Sequence, residues 1–343
     1  MRVFSAAYCC VLLTLAGCGS GVSESDGGGT EDMVDSLAWF NDRVTDAAGD
    51  PAAYLDRAAF HLRNQRAGEC IEDYARAVRI DSTRLDVRHR LGELRFGIQD
   101  FEGAVREWEA AIAADGQHVP SLLSLARVDL LLRSYDRALN RINDALRVDS
   151  RLDEAYFMKG RLYLETGDTA TAASSFQTVV EVNPDRYDAF IQLGLLYAAA
   201  DDDLAIEYFR TARRLAPNSI EALYDEAIYL QEHGDTDGVR YNEALSLYDR
   251  ILLLDATNAS AAFNKGFVHL EYLSQYDSAA HWFEEAIERL PHYHQAHFNK
   301  GLCLESMGDL RGALDAYDAA LSFQPAYTPA AIAKGRVMES LRP

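Results

Sequence analysis

The sequence predicts an all-α protein, a solenoid of repeated helical pairs. Three observations carry this. From Asp50-Pro51 onward, residue types recur with a period near 34. Only 8 prolines interrupt 343 residues, so long helices are permitted. The chain is 48% hydrophobic and 25% charged, the balance of an ordered protein, and one compositional style runs on after about residue 33.

Met1-Arg2 is followed by an apolar run from Val3 to Leu15, which has signal-peptide length and is too short to span a bilayer. The run ends in Leu15-Ala16-Gly17-Cys18, which resembles the lipobox of bacterial lipoproteins. That resemblance implies that residues 1–17 are removed and that Cys18 carries a diacylglycerol. Its acyl chains, at about 0.8 kcal/mol per buried methylene, then hold the protein on a membrane. Gly19 stands where an aspartate would resemble an inner-membrane retention signal, so the resemblance implies the outer membrane, at its periplasmic face or the cell surface. Residues 18–32, rich in Gly, Ser and acids, cannot bury an apolar face and read as a flexible tether of about 20 Å. Gly19-Ser20-Gly21 precedes no strand-to-helix turn and is no phosphate cradle.

A helix within 33–50, containing Leu37, Trp39, Phe40 and Val44, precedes the array and is expected to cap it. Eight copies follow, at 51–84, 85–118, 119–152, 153–186, 187–219, 220–258, 259–293 and 294–327. Numbered from the first residue of each copy, slot 8 is always small: Ala58, Gly92, Ala126, Gly160, Gly194, Ala227, Gly266, Gly301. Slot 20 reads Cys70, Ala104, Ala138, Ala172, Ala205, Ala244, Ala279 and Ala313. Slot 24 is bulky: Tyr74, Trp108, Ile142, Phe176, Phe209, Tyr248, Phe283, Tyr317. Two antiparallel helices approach closely only where one side chain is tiny and a bulky neighbour fills the adjoining hole, so slots 8 and 20 are expected contact points.

Helix stops recur at Pro184, Pro217, Pro291 and Pro325. The fifth copy loses a residue at Asp201-Asp202-Asp203, the seventh gains one near Ser274-Gln275-Tyr276, and the sixth gains five within Asp235 to Asn242, all read as turn changes. Lys159, Lys265 and Lys300 put charge at slot 7, where apolar packing is expected. After the last copy, Thr328-Pro329 reads as the N-cap and first-turn proline of a capping helix within 328–343.

These slots resemble the tetratricopeptide repeat, most closely in the fourth copy with Tyr156, Gly160, Tyr163, Gly167, Ala172, Phe176 and Pro184. The resemblance covers residues 51–327 and implies a right-handed superhelix whose first helices line a concave groove. It places slots 2, 5, 9, 12 and 13 in that groove. The candidate groove residues are therefore Phe157, Arg161, Ile191, Leu195, Tyr224, Ile228, Phe263, Phe267, Phe298 and Leu302. Asn264 and Asn299, at slot 6, are expected to hold a peptide backbone. The carboxylate clamp of cytosolic chaperone-binding members is disfavoured, since Asn264-Lys265-Gly266 and Asn299-Lys300-Gly301 supply asparagine only.

The function implied is a membrane-anchored scaffold that binds a peptide or partner protein, in bacterial envelope assembly. The alternative is a surface lipoprotein that captures a ligand or metal. Fifty-four acidic against thirty-three basic residues give a formal charge of -21, which repels phosphate backbones, so nucleic acid is not an expected partner. Cys70 and Cys303 lie far apart in a repeat array and read as packing thiols, not a disulfide. His292, His294 and His297, with His281 nearby, lack a fixed acidic or thiol partner, and Asp235-Thr236-Asp237-Gly238 lacks the glutamate a calcium loop needs, Ala244 standing there. No metal or other cofactor is expected. With no nucleophile in a recognisable setting, no His-Glu-x-x-His and no phosphate loop, an enzyme is not expected either.

Overall fold

The computed structural model describes residues 31–234 and 238–342, with side chains from residue 37. The expected leader, Cys18 and nearly all of the tether lie outside the described residues. The chain divides into two compact units, residues 1–114 and 115–343.

The first unit holds α1 (Glu31–Asp46), α2 (Pro51–Arg63), α3 (Ala67–Ile80), α4 (Leu85–Gly97) and α5 (Phe101–Ala114). The capping helix thus begins at Glu31, two residues before its expected start. Asp50 caps α2 by accepting from the Ala52 amide, with Pro51 in the first turn where its missing N–H costs nothing.

The second unit pairs α6 (Val119–Leu131) with α7 (Tyr135–Val148), α8 (Asp153–Thr166) with α9 (Thr169–Val182), and α10 (Tyr187–Ala199) with α11 (Leu204–Leu215). It continues with α12 (Ile220–Glu232) and α13 (Val239–Leu254), α14 (Ala259–Phe267) and α15 (Tyr276–Arg289), and α16 (His294–Ser306) and α17 (Leu310–Phe323). It ends in α18 (Thr328–Ser340), whose cap residue is Tyr327 and not Thr328.

In each pair the first helix, here helix A, meets its helix B where slot 8 faces slot 24. A methyl group added at Gly160 would lie 2.7 Å from the Phe176 ring, at Gly194 2.6 Å from Phe209, and at Gly301 2.5 Å from Tyr317. The rings themselves are fully buried, so the glycines exist to admit them. Slot 20 is closed equally tightly, with Cys70, Ala104, Ala138, Ala172, Ala205, Ala244, Ala279 and Ala313 all inaccessible.

The turn from helix A to helix B needs one left-handed residue in most copies. Gly167 and Gly308 supply it without strain, whereas Gln65, Gln99, Arg133, Asp201 and Ser274 adopt positive φ with a Cβ present. The extra residue of the seventh copy is not a turn insertion as expected. It is absorbed in a π-helical turn, Val268–Tyr272, that ends α14.

The slot-7 charges of Lys265 and Lys300 do not loosen the packing. Lys265 pairs with Asp249, Lys300 with Glu284 and Lys334 with Asp318, each 16 residues back on the preceding helix B. Lys265 also lies 3.6 Å above the Trp282 ring, so its buried stem and charged head both find partners. The same slot in the sixth copy is Glu226, buried and held by Arg213 at 2.5 Å.

Candidate binding face of the second unit

Helices A of the second unit form its closer-packed layer: α6 touches α8, α10 touches α12, and α16 touches α18. All the candidate groove residues lie on this layer, and the structure separates them into three groups.

Ile191 is only 1% exposed and belongs to the core around Phe209 and Leu223, so it cannot line a groove. Asn264 is corrected in role: it is 8% exposed, and its amide donates to the Tyr224 hydroxyl at 2.7 Å, leaving it occupied by the protein itself. The 40-residue separation of that pair spans the sixth copy's insertion, which hides the partnership in sequence. Asn299 is equally shielded, yet the preceding copy offers Phe263 where Asn264 finds Tyr224. Its side-chain amide makes no hydrogen bond among the described residues.

The slot-5 rings are half-buried and covered on both sides. Phe157 packs edge-on against Phe176 and lies under the Arg186 guanidinium, 4.2 Å from it. Phe263 stacks on Tyr293 at 4.9 Å and Phe298 meets Tyr327 at 5.4 Å, while Phe283 and Tyr317 back them. Sequence reasoning missed these covers. The signal was a large planar residue just before each following helix A: Arg186, Tyr293 and Tyr327. Arg186 is itself pinned by Asp153, Glu154 and Asp188, so its charge is spent locally.

Arg161 and Leu195 are the openly accessible candidates, Leu195 at 45%. Ile228, Phe267 and Leu302 are half-buried; Phe267 and Leu302 pack against the core beneath α14 and α16. Beside Tyr224, burial and the neighbouring Glu221 push the Asp225 carboxyl up to about 6. Neither Asp225 nor Glu221 has a basic partner among the described residues, so this stretch of the layer carries uncompensated acidity. Burial likewise pushes the Tyr293 hydroxyl, which reaches Ser260, up to about 12.

The histidines are engaged singly. His297 stacks on Phe323 at 5.5 Å and reaches the Pro291 carbonyl, and His294 meets the Tyr327 ring. Among the described residues no three His, Cys, Asp or Glu side chains lie close enough to share a metal. Cys70 and Cys303 are free and buried, and burial pushes the Cys303 thiol up to about 12, leaving it unreactive. No described helix is long and apolar enough to cross a membrane.

Paired helices locked by a glycine-to-ring contact and stacked through a 16-residue charge ladder define a helical-repeat protein. The tetratricopeptide repeat model matches residues 123–173, 157–220 and 267–331, and the chain carries tetratricopeptide repeats there. BBSome complex member BBS4 of Bos taurus is 25% identical over 222 residues, covering 56% of this chain and 42% of that protein. Anaphase-promoting complex subunit 3 of Schizosaccharomyces pombe is 28% identical over 184 residues, covering 53% of this chain and 27% of that one. The chain thus spans less than half the length of either relative. The crystal structure of the C-terminal part of a TPR repeat-containing protein from Cytophaga hutchinsonii superposes with a TM-score of 0.52 at 18% identity. It covers 68% of this chain and 94% of that one, and shares the helical-repeat solenoid fold.

Proposed function

We propose that this protein is a protein-interaction scaffold whose second unit binds a peptide or partner protein on its helix-A layer. The observation that carries the reading is one layer presenting accessible Arg161 and Leu195 together with acid at Glu221 and Asp225 that has no basic partner among the described residues. Such a surface suits an extended or helical segment with apolar anchors and a basic side chain. The aromatic rings act as its rigid floor, since they are already held from both sides. Membership of multiprotein complexes by BBS4 and anaphase-promoting complex subunit 3, as their names state, supports an assembly role.

The Leu15-Ala16-Gly17-Cys18 sequence supports the further reading that the scaffold is lipid-anchored in a bacterial envelope and recruits assembly machinery there. Cys18→Ser then moves the protein from the membrane to the soluble fraction. Binding is tested by partner capture with Leu195→Glu and Arg161→Glu, measured beside the unfolding midpoint. The reading expects capture to fall with the midpoint unchanged. Capture that persists in both variants rejects the face.

A further inference from the structure

The two terminal helices are complementary halves of one repeat. α18 holds the register of a helix A: Lys334 reaches Asp318 at the 16-residue spacing of the other slot-7 lysines, and Ala330 and Ala333 are buried against the preceding helices. Its slot 8 is Gly335. Every glycine at that slot within the eight copies abuts the slot-24 ring of its own helix B, but a methyl group at Gly335 would meet nothing within 4 Å. The residues flanking it on the same stripe are open, Ile332 at 64% and Met338 at 49%. At Ile332's slot, slot 5, all eight copies are half-buried or buried.

α1 holds the register of a helix B. Phe40 packs on Phe60 at 5.3 Å, as the slot-24 ring Phe209 packs on Tyr229 at 5.7 Å, each 20 residues on. Asn41 accepts from Arg57 at 16 residues' separation, the spacing of the lysine ladder. Trp39 therefore occupies slot 23, which elsewhere turns toward the copy's own helix A: Asp73 accepts from Arg57, Glu107 accepts from Arg88, and the Tyr208 ring packs at a tilt on Tyr197. Here it is 56% exposed. The sequence before α1, Gly19 to Thr30, has no apolar stripe to serve as the missing helix A.

We infer that copies of this chain associate head to tail, α1 of one packing on α18 of the next to complete a repeat. Phe40 then lies over Gly335 and Ile332, and Trp39 reaches Met338, reproducing the contact made inside each of the other copies. The occupant is a second copy because the chain supplies both halves in matching register and the contact continues the packing already made between consecutive repeats. The contact is heterologous, so it propagates into a chain of copies unless rotation closes a ring. Since each copy carries a formal charge of -21, association strengthens as added salt screens the repulsion.

Sedimentation velocity of the full chain carrying Cys18→Ser, so that no acyl group contributes, tests this with Ile332→Lys and Trp39→Lys. Both positions are exposed, and unchanged far-UV circular dichroism confirms that the variants fold. The wild-type surface should give concentration-dependent association, and each variant should weaken it about tenfold or more, the equivalent of one misplaced contact side chain. An equimolar mixture of the two variants should recover a dimer and nothing larger, because one retains α1 and the other α18. A wild type that stays monomeric at every concentration and salt overturns the inference. So does a Trp39→Lys variant that dimerises by itself, which would mean an α18 to α18 contact, or a mixture that remains monomeric.

Discussion

Replacing glycine by alanine at slot 8 should have opposite effects at two positions. At Gly160 the new methyl would lie 2.7 Å from a Phe176 ring that is itself wholly buried, so the ring must shift within a packed interior. Overpacking of that kind costs about 1–3 kcal/mol. Alanine returns about 1 kcal/mol through its higher helix propensity, leaving a net loss of about 0–2 kcal/mol. At Gly335 nothing lies within 4 Å, so only the propensity gain of about 1 kcal/mol remains. The propensity term cancels in the difference, and about 1–3 kcal/mol between the variants reports the ring contact alone. Guanidinium unfolding followed by far-UV circular dichroism, at a concentration where the chain is monomeric, measures it. Amide exchange in α8 and α9 localises the loss. Equal stabilisation by both variants would refute the claim that slot-8 glycines exist to admit slot-24 rings.

Other substitutions test the remaining contacts. Arg213→Ala strands the buried Glu226 carboxylate and should cost about 3 kcal/mol in the second unit, read as a lower denaturant midpoint. Gln99→Gly relieves a left-handed backbone at a residue with a Cβ and should raise stability by about 0.5–1 kcal/mol, an equal or lower midpoint arguing against strain there. Asp225 titrates near 6 in the fold against 3.8 when unperturbed, so the folded state holds the extra proton between those values. Stability should therefore rise as pH falls through that window, and Asp225→Asn should stabilise by about 3 kcal/mol at pH 7 but not below pH 4. In the native protein Cys70 and Cys303 should resist alkylation until denaturant is added.

The repeat was legible in sequence because close helix contact demands a small residue at slots 8 and 20 and a bulky one at slot 24, whatever else varies. The contacts between copies were harder to read. Lys265, Lys300 and Lys334 look like misplaced charges until the 16-residue reach to Asp249, Glu284 and Asp318 is seen, and that reach depends on how consecutive pairs stack. The π-helical turn at Val268–Tyr272 was illegible because an added residue marks itself by count and not by place. In the candidate face, Arg161 and Leu195 stand open on the layer, while Ile191 and Asn264 were absorbed by packing that slot numbers do not encode. The covers supplied by Arg186, Tyr293 and Tyr327 come from the next copy, beyond the reach of reading one copy at a time.

Site-specific photocrosslinking in cells tests the scaffold reading most directly. A photoreactive residue at Leu195 or Arg161, on helices A, should form a discrete adduct with another protein. The same residue at Gln177 on α9 or Ser246 on α13, both exposed on helices B, should not. Adducts of equal yield from both layers, or from helices B alone, would contradict a helix-A binding face.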